Sequence, residues 1–246
     1  MNKRKIFFLT GGIVLVWILA FYWLTVEKAH SRPKDDEILS GINSIQQNVK
    51  ALEIQDFLKV DARHGVAPFR TDRGGYGISY WERNLTGWKV KSTRTDGEPK
   101  VWKVDGGDPS SFHIVWNIDP EHVQTLQYYF LRERGYSIGG GQQHYVPSIL
   151  MKMEVPTKGN SYGVKKLPKE WIFAMKLSDG SEGPGLSFGG GFNLGLYSRF
   201  GWLPLDENKN EVEFRDISNS SSYSHGSVRE EFMHPLSKEQ LERGQY

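Results

Sequence analysis

The sequence predicts a mainly β protein of the α+β class. An N-terminal transmembrane helix and a short juxtamembrane helix precede an antiparallel β sandwich or curved sheet with one internal helix. Three observations support this prediction: an uncharged apolar run at residues 6–26, a hydrophobic period of helical type after it, and alternation of apolar and polar residues from Val66 onward. With 246 residues, of which 13% are aromatic, the chain is long enough to bury a sizeable core.

Residues 6–26 are predicted to form a retained membrane anchor. The run has no charged side chain and, at about 21 residues, is long enough to cross a hydrocarbon core as a helix. It is longer than the apolar region of a secretory signal peptide, and the small residues needed for cleavage are not well placed after it. Four aromatic residues toward its end suit a membrane interface: Trp17, Phe21, Tyr22 and Trp23.

The charges that flank the span predict its orientation. Lys3, Arg4 and Lys5 lie directly against it, whereas three basic residues follow it at wider spacing, so the two sides nearly tie. The tighter cluster favours residues 1–5 in the cytoplasm and a domain at residues 60–246 outside the cytoplasm. We therefore expect a single-pass protein of the cell membrane, with the lipid bilayer as one partner.

Charge and cysteine content exclude several classes of function. The formal net charge is +2, and without the three basic residues ahead of the span it is −1. A nearly neutral domain lacks the basic surface that binds a phosphate backbone, so no nucleic-acid partner is predicted. The chain has no cysteine, which excludes disulfides, a thiolate nucleophile and zinc–thiolate sites.

Residues 33–59 are predicted to form a juxtamembrane amphipathic helix, or stalk. An apolar stripe with alternating steps of four and three runs along it: Ile38, Ile42, Ile45, Val49 and Leu52. Two interpretations remain open. The stripe is either a self-association surface that gives a homodimer, or the side of a helix that lies on its own domain. Gly41 favours the second, because it weakens an isolated helix by about 1 kcal/mol.

The domain at residues 60–246 is predicted to consist mainly of half-buried antiparallel strands, since apolar and polar residues alternate along it. Turns such as Asp96-Gly97 and Asp105-Gly106 separate the alternating segments. The main predicted strands cover residues 112–118, 149–155, 171–177 and 212–214, with shorter ones at 78–81, 88–92, 101–104 and 196–203.

One helix is predicted inside this domain, between Asp119 and Gly135. Asp119 suits the N-cap, and Gly135 suits the position after the last turn. Its apolar stripe would be Val123, Leu126 and Phe130. A second, short helix is predicted near the C-terminus, because Ser237 and Gln240 have the spacing of a capping box.

Ser187 is the one candidate catalytic residue. It stands in Gly185-Leu186-Ser187-Phe188-Gly189, which fits the G-x-S-x-G pattern of serine hydrolases, and acidic and histidine residues follow it in the chain. The pattern requires a strand before the serine and a helix after it, in a parallel sheet. Here more glycines follow and no helix is predicted, so a glycine-rich turn is favoured and no catalytic residue is assigned.

No cofactor or metal site is predicted. The glycine clusters do not match phosphate-binding loops, and the histidines lack metal-ligand spacing. Residues 206–210 resemble the start of a calcium loop, but the required glycine and the final glutamate are missing, which favours a hairpin turn. Tryptophans near the strands suggest either core packing, favoured for Trp116 and Trp171, or an aromatic ledge for glycans, which stays open for the others: Trp81, Trp88, Trp102 and Trp202.

The expected function is binding. An anchor, a short helix and one neutral β domain without a convincing catalytic group favour a non-catalytic accessory subunit that binds another protein of an envelope-associated membrane assembly. The alternatives are a cell-surface hydrolase acting on a glycan or an ester through Ser187 or an acidic pair, and a carbohydrate-binding module.

Overall fold

The computed structural model describes residues 16–17, 31–46, 48–139, 142–180, 198–214 and 223–244. Beyond residue 31 its helices are α1 (Asp35–Ile45), α2 (Lys169–Gly180) and α3 (Lys238–Arg243). Its strands are β1 (Ala51–Ile54), β2 (Leu58–Lys59), β3 (His64–Thr71), β4 (Tyr76–Asn84), β5 (Gly87–Arg94), β6 (Lys100–Lys103), β7 (Phe112–Asn117), β8 (Thr125–Arg132), β9 (Gly135–Gly139), β10 (Gln142–Val146), β11 (Ile149–Pro156), β12 (Tyr162–Lys166), β13 (Ser198–Leu205), β14 (Ser224–Gly226) and β15 (Glu230–Pro235). The predicted β-rich α+β class is confirmed.

The strands form two large sheets and one small one. The first sheet has the order β1-β3-β4-β5-β14, with β2 paired to β3. The second has the order β11-β8-β13-β15-β6-β7-β12, and β9 pairs only with β10 among the described strands. Pairing is antiparallel, as predicted, except between β13 and β15, which run parallel.

The two large sheets pack face to face between two helices. Helix α1 covers the outer face of the first sheet, where Ile38 and Ile42 contact a cluster that includes Phe69 and Trp81. The inner face of that sheet packs on the second sheet through a different cluster: Val66, Ile78, Tyr80, Trp102 and Val115. The other face of the second sheet forms the largest core, into which helix α2 inserts Trp171.

The second sheet is strongly curled. Trp116 of β7 and Tyr128 of β8 are separated by three strands in the sheet order, yet their ring centroids lie 5.6 Å apart. Trp171 of α2 lies 6.1 Å from the rings of both Phe130 and Phe200, on the concave side. The curl therefore encloses an aromatic core, and helix α2 covers its open side.

The predicted helix over residues 33–59 is wrong beyond Ile45. Asn43 turns the chain back: its side chain accepts a hydrogen bond from the Ala51 N–H (2.8 Å) and donates one to the Ala51 carbonyl (3.1 Å). The buried Gln46 accepts a hydrogen bond from the Thr93 hydroxyl at 2.9 Å. Because residues 51–54 then pair with β3, strand pairing replaces the helix that the stripe predicted.

Inside the β domain, one predicted helix is a strand and one predicted strand is a helix. The predicted helix between Asp119 and Gly135 is wrong, because residues 125–132 form strand β8. This strand is buried on both faces, with Phe130 in the largest core and Leu131 in a separate cluster beside α3, so it lacks the polar alternation of a half-buried strand. The predicted strand at residues 171–177 is also wrong, since these residues belong to helix α2.

Several local predictions are confirmed. The main predicted strands at residues 112–118 and 149–155 correspond to β7 and β11. Ser237 caps α3 by accepting a hydrogen bond from the Gln240 N–H at 3.1 Å, and the Gln240 side chain accepts one from the Ser237 N–H at 2.9 Å. Residues 206–210 form a turn closed by a hydrogen bond from the Asp206 N–H to the Asn210 carbonyl (3.0 Å).

Candidate functional site

The apolar stripe predicted for self-association is divided by the fold. Ile38 and Ile42 have no exposed surface and contact the protein's own first sheet, while Val49 is 4% exposed. Ile45 is half-buried and Leu52 is 61% exposed, in strand β1 rather than in the helix. The five residues therefore do not form one surface, and the interpretation as a helix on its own domain holds for Ile38 and Ile42.

Ser187, the candidate catalytic residue, and its glycine neighbours lie outside the described residues.

The tryptophans near the strands are mostly buried. Trp116 and Trp171 are buried, as predicted. Of the four tryptophans left open, Trp81, Trp102 and Trp202 are at most 4% exposed, and Trp88 is half-buried against Phe57 with ring centroids 4.9 Å apart. An exposed ledge for glycans cannot be built from the three buried indoles.

A buried charged cluster joins the two large sheets. The Arg94 side chain has no exposed surface, and its Nε lies 3.1 Å from both the Tyr80 hydroxyl and the Glu230 carboxylate. Its Nη1 donates to the Asp96 carboxylate and to the backbone carbonyls of Asp96 (2.6 Å) and Glu98 (2.9 Å). Burial alone would lower the pKa of Arg94, but Tyr80 and the carboxylates of Asp96 and Glu230 raise it. A cation so fully enclosed holds the sheets together and is not available to a ligand.

A crevice of about 400 Å³ lies between the edges of β2 and β12. Its polar lining includes His113, Lys59 and Lys166. The His113 Nδ1 lies 2.7 Å from the Ser111 carbonyl, which only accepts hydrogen bonds, so Nδ1 carries the proton. Burial lowers the pKa of His113, which favours the neutral imidazole. The hydroxyl in the described lining belongs to Tyr162, and it forms a hydrogen bond with the Asp56 carboxylate, so the crevice does not form a nucleophile–base pair with His113.

Strands β9 and β10 form a hairpin that extends from the ribbon made by β8 and β11. We call residues 135–146 the β9–β10 arm. Tyr136 lies directly opposite Tyr145, and Ile138 lies opposite Gln143. Since residues two apart in a strand share a face, these side chains lie on one face of the arm. The three apolar members are 61%, 68% and 68% exposed: Tyr136, Ile138 and Tyr145.

The β9–β10 arm has the features of a protein-binding surface. Residues 135–146 contain no lysine, arginine, aspartate or glutamate, although 24% of the whole chain is charged. Exposed strand edges are normally protected against pairing by charged residues or proline. Two adjacent tyrosines and an isoleucine supply the apolar and aromatic contacts that are enriched in the cores of protein interfaces. The arm is therefore the strongest candidate binding surface in the described part of the chain.

The sequence pattern does not predict this surface, because Gly135 suits the end of the helix expected from Asp119 onward. A signal for it is present in the sequence: two short uncharged segments flank the glycines at positions 139–141, as expected of a hairpin.

No group of three or more histidine, aspartate or glutamate residues in the described ranges is placed to hold a metal ion. Among the described helices, none has both the length and the apolar character to cross a membrane. Comparison of the chain with protein-family models, curated proteins and solved structures finds no match.

Proposed function

We propose that this protein is a single-pass membrane protein whose extracytoplasmic β domain binds another protein of the cell envelope, as a non-catalytic accessory subunit of a membrane-associated assembly. The observation that carries the proposal is the exposed, uncharged aromatic face of the β9–β10 arm. Fully burying a large apolar side chain contributes about 1.5–3 kcal/mol, so Tyr136, Ile138 and Tyr145 would supply a substantial part of the binding free energy.

The membrane anchor is supported by the sequence. Residues 6–26 carry no charge, and the two described members of this run, Val16 and Trp17, are helical and 64% and 72% exposed. Ser31, only five residues after the run, already contacts the β domain through a hydrogen bond from the Trp88 indole (3.1 Å). The domain would thus lie directly at the membrane surface.

The partner of the arm is proposed to be a different protein rather than a second copy bound through the juxtamembrane helix. Ile38 and Ile42, the residues that would mediate helix pairing, are already covered by the first sheet. The strand edges of the arm have no charged side chains beside them, which favours a partner that pairs a strand with the arm or packs an apolar surface against it.

Topology is tested with reporter fusions. A phosphatase fused after Tyr246 should be active, because the enzyme folds only outside the cytoplasm, and a cytoplasmic reporter at the same position should be silent. The reverse pattern would overturn the proposed location.

Binding is tested by native electrophoresis of the full chain, extracted from its own membranes in a mild detergent. The wild type should migrate in an assembly larger than the free chain, and Tyr136→Ser with Tyr145→Ser should migrate as the free chain with an unchanged melting temperature. Phe173→Ser is the matched control, because Phe173 is a 64% exposed aromatic residue on α2. A wild type that migrates as the free chain would contradict the proposal.

A further inference from the structure

We infer that the hairpin turn between β4 and β5 contacts the phosphate-bearing headgroups of the membrane surface. This inference rests on the proposed membrane anchor and adds a second contact between the β domain and the lipid. The surface involved is residues 83–89, which we call the β4–β5 tip.

The β4–β5 tip presents a leucine to solvent on a hydrogen-bonded turn. Asn84 pairs with Gly87, which leaves Leu85 and Thr86 as the loop. The Asn84 side-chain oxygen accepts hydrogen bonds from the Thr86 N–H (2.9 Å) and hydroxyl (2.7 Å), and Gly87 adopts a φ of +120°. Leu85 is 93% exposed, more than any other large apolar residue in the described ranges. The turn therefore holds an apolar side chain away from the domain.

Basic residues flank this leucine on both strands of the hairpin and on the adjoining segment. Arg83 and Lys89 make no ion pair with any residue that the structure describes. Arg63 and Lys91 both bind the same carboxylate, Glu82, at 3.1 and 2.9 Å. Arg63, Lys91, Arg83 and Lys89 thus bring four positive charges against the one negative charge of Glu82, which leaves an excess of positive charge on this end of the hairpin. An exposed apolar residue with lysines and arginines beside it is the composition of an interfacial membrane contact.

Carboxylates on the neighbouring segments reduce this excess without cancelling it, because Arg32 pairs with Asp35 and Asp56 and offsets one of their charges, and Asp61 adds one further negative charge. Asp61 lies 2.9 Å from His64, and Asp56 lies 4.0 Å from Arg32. Burial opposes the ionisation of Asp61, but hydrogen bonds from the Arg63 and His64 backbone N–H groups and from the His64 side chain lower its pKa, so Asp61 contributes one negative charge to this region.

The tip lies beside the point where the chain enters the domain. The Trp88 indole donates a hydrogen bond to the Ser31 carbonyl, and Trp88 is three residues from Leu85. Residues 27–30 separate Ser31 from the last residue of the predicted span, so at most about 18 Å of extended chain joins them. A membrane that contains the span therefore lies within reach of Leu85.

The opposite end of β4 provides an internal control. Residues 72–75 form the turn that precedes this nine-residue strand, so they lie about 30 Å from the tip. Arg73 in this turn is exposed, as Leu85 is, but it lies at the end of the first sheet that faces away from Ser31.

Single-cysteine labelling of the full chain tests the inference, since the natural sequence has no cysteine. Leu85→Cys, Arg73→Cys and Leu15→Cys each carry a bimane probe, and the proteins are placed in nanodiscs with and without doxyl-labelled lipid, a quencher. We expect quenching at positions 85 and 15 and none at position 73. Arg83→Gln with Lys89→Gln should reduce quenching at position 85 and leave position 15 unchanged.

The result at position 15 distinguishes failure of the headgroup contact from failure of the membrane anchor. Quenching at position 15 without quenching at position 85 overturns the headgroup contact and keeps the anchor. Absence of quenching at both positions overturns the anchor, and the headgroup contact with it. Disulfide dimers of Leu85→Cys in nanodiscs, in place of quenching, would assign the tip to a second copy of the chain and overturn the lipid assignment. Equal quenching at positions 85 and 73 would show that the lipid contacts both ends of the first sheet, and it would overturn a specific role of the tip.

Discussion

Arg94 of β5 and Glu230 of β15 form an ion pair across the two large sheets, with 3.1 Å between Nε and the carboxylate oxygen. The guanidinium has no exposed surface, and Tyr80 donates its hydroxyl hydrogen to the same carboxylate. Removing one partner of a buried pair leaves the other charge without compensation in a medium of low dielectric. The pair therefore makes the packing of the first sheet depend on the second.

Arg94→Ala should lower the free energy of unfolding by about 3–5 kcal/mol, because it leaves Glu230 without its buried cation and Asp96 with Lys100 alone. Arg199→Ala is the matched control: Arg199 also pairs with a glutamate, Glu133, but both side chains are exposed, so the change should cost about 0–1 kcal/mol. Urea denaturation of both variants measures the difference. Equal losses would show that the buried cluster does not join the sheets.

Ile42→Asp should destabilise the domain by several kcal/mol, since it places a charge in a fully buried position between α1 and the first sheet. Leu52→Asp should change stability by less than about 0.5 kcal/mol, because Leu52 is 61% exposed. Thermal unfolding compares the two. Loss of an oligomer in Leu52→Asp at unchanged stability would restore a self-association role for this residue.

Gly97→Ala should destabilise the protein by about 1–3 kcal/mol, because a Cβ at this position would lie 1.4 Å from the Asn117 carbonyl oxygen and would force the two segments apart. In Gly107→Ala the nearest atom to the new Cβ is 3.7 Å away, so this variant should unfold close to the wild type. Denaturation midpoints provide the measurement, and equal midpoints would contradict the close approach.

Glu98→Gln should stabilise the protein at neutral pH. Burial, and then the charge of Asp96, raise the pKa of Glu98 above its usual value of 4.5. The wild type therefore loses stability as the pH rises from about 4.5 through the raised pKa, whereas glutamine carries no charge to bury. Melting temperatures from pH 4 to pH 7 should show a gain for Glu98→Gln that disappears toward the acidic end. A wild type that is more stable than the variant at pH 7 would contradict this prediction.

Ser187→Ala should retain the fold and the assembly, because a glycine-rich turn needs backbone freedom and not the serine hydroxyl. The wild type should also fail to react with a fluorophosphonate probe. Stoichiometric labelling that disappears in Ser187→Ala would favour the hydrolase alternative, since only an activated serine reacts in this way.

Local features were predictable from the sequence because neighbouring residues determine them. Ser237 and Gln240 form their capping box within one helical turn, and the half-buried strand β11 alternates between Ile149 and its exposed neighbour Leu150. The β-rich class follows from the same alternation. The capping box and the alternation both depend on residues that are close in the sequence, and only weakly on which segment packs against them.

Only the tertiary structure decided the type of a segment that is buried on both faces, and the contacts between residues that are distant in the sequence. Phe130 and Leu131 lie on opposite buried faces of β8, so the strand has no polar face that would distinguish it from a helix. Asn43 ends α1 by binding Ala51, and Arg94 finds Glu230 at a separation of 136 positions in the chain. Because burial and long-range pairing offset the local preferences of these segments, the periodicity of the sequence alone predicted a longer α1 and exchanged the positions of a helix and a strand.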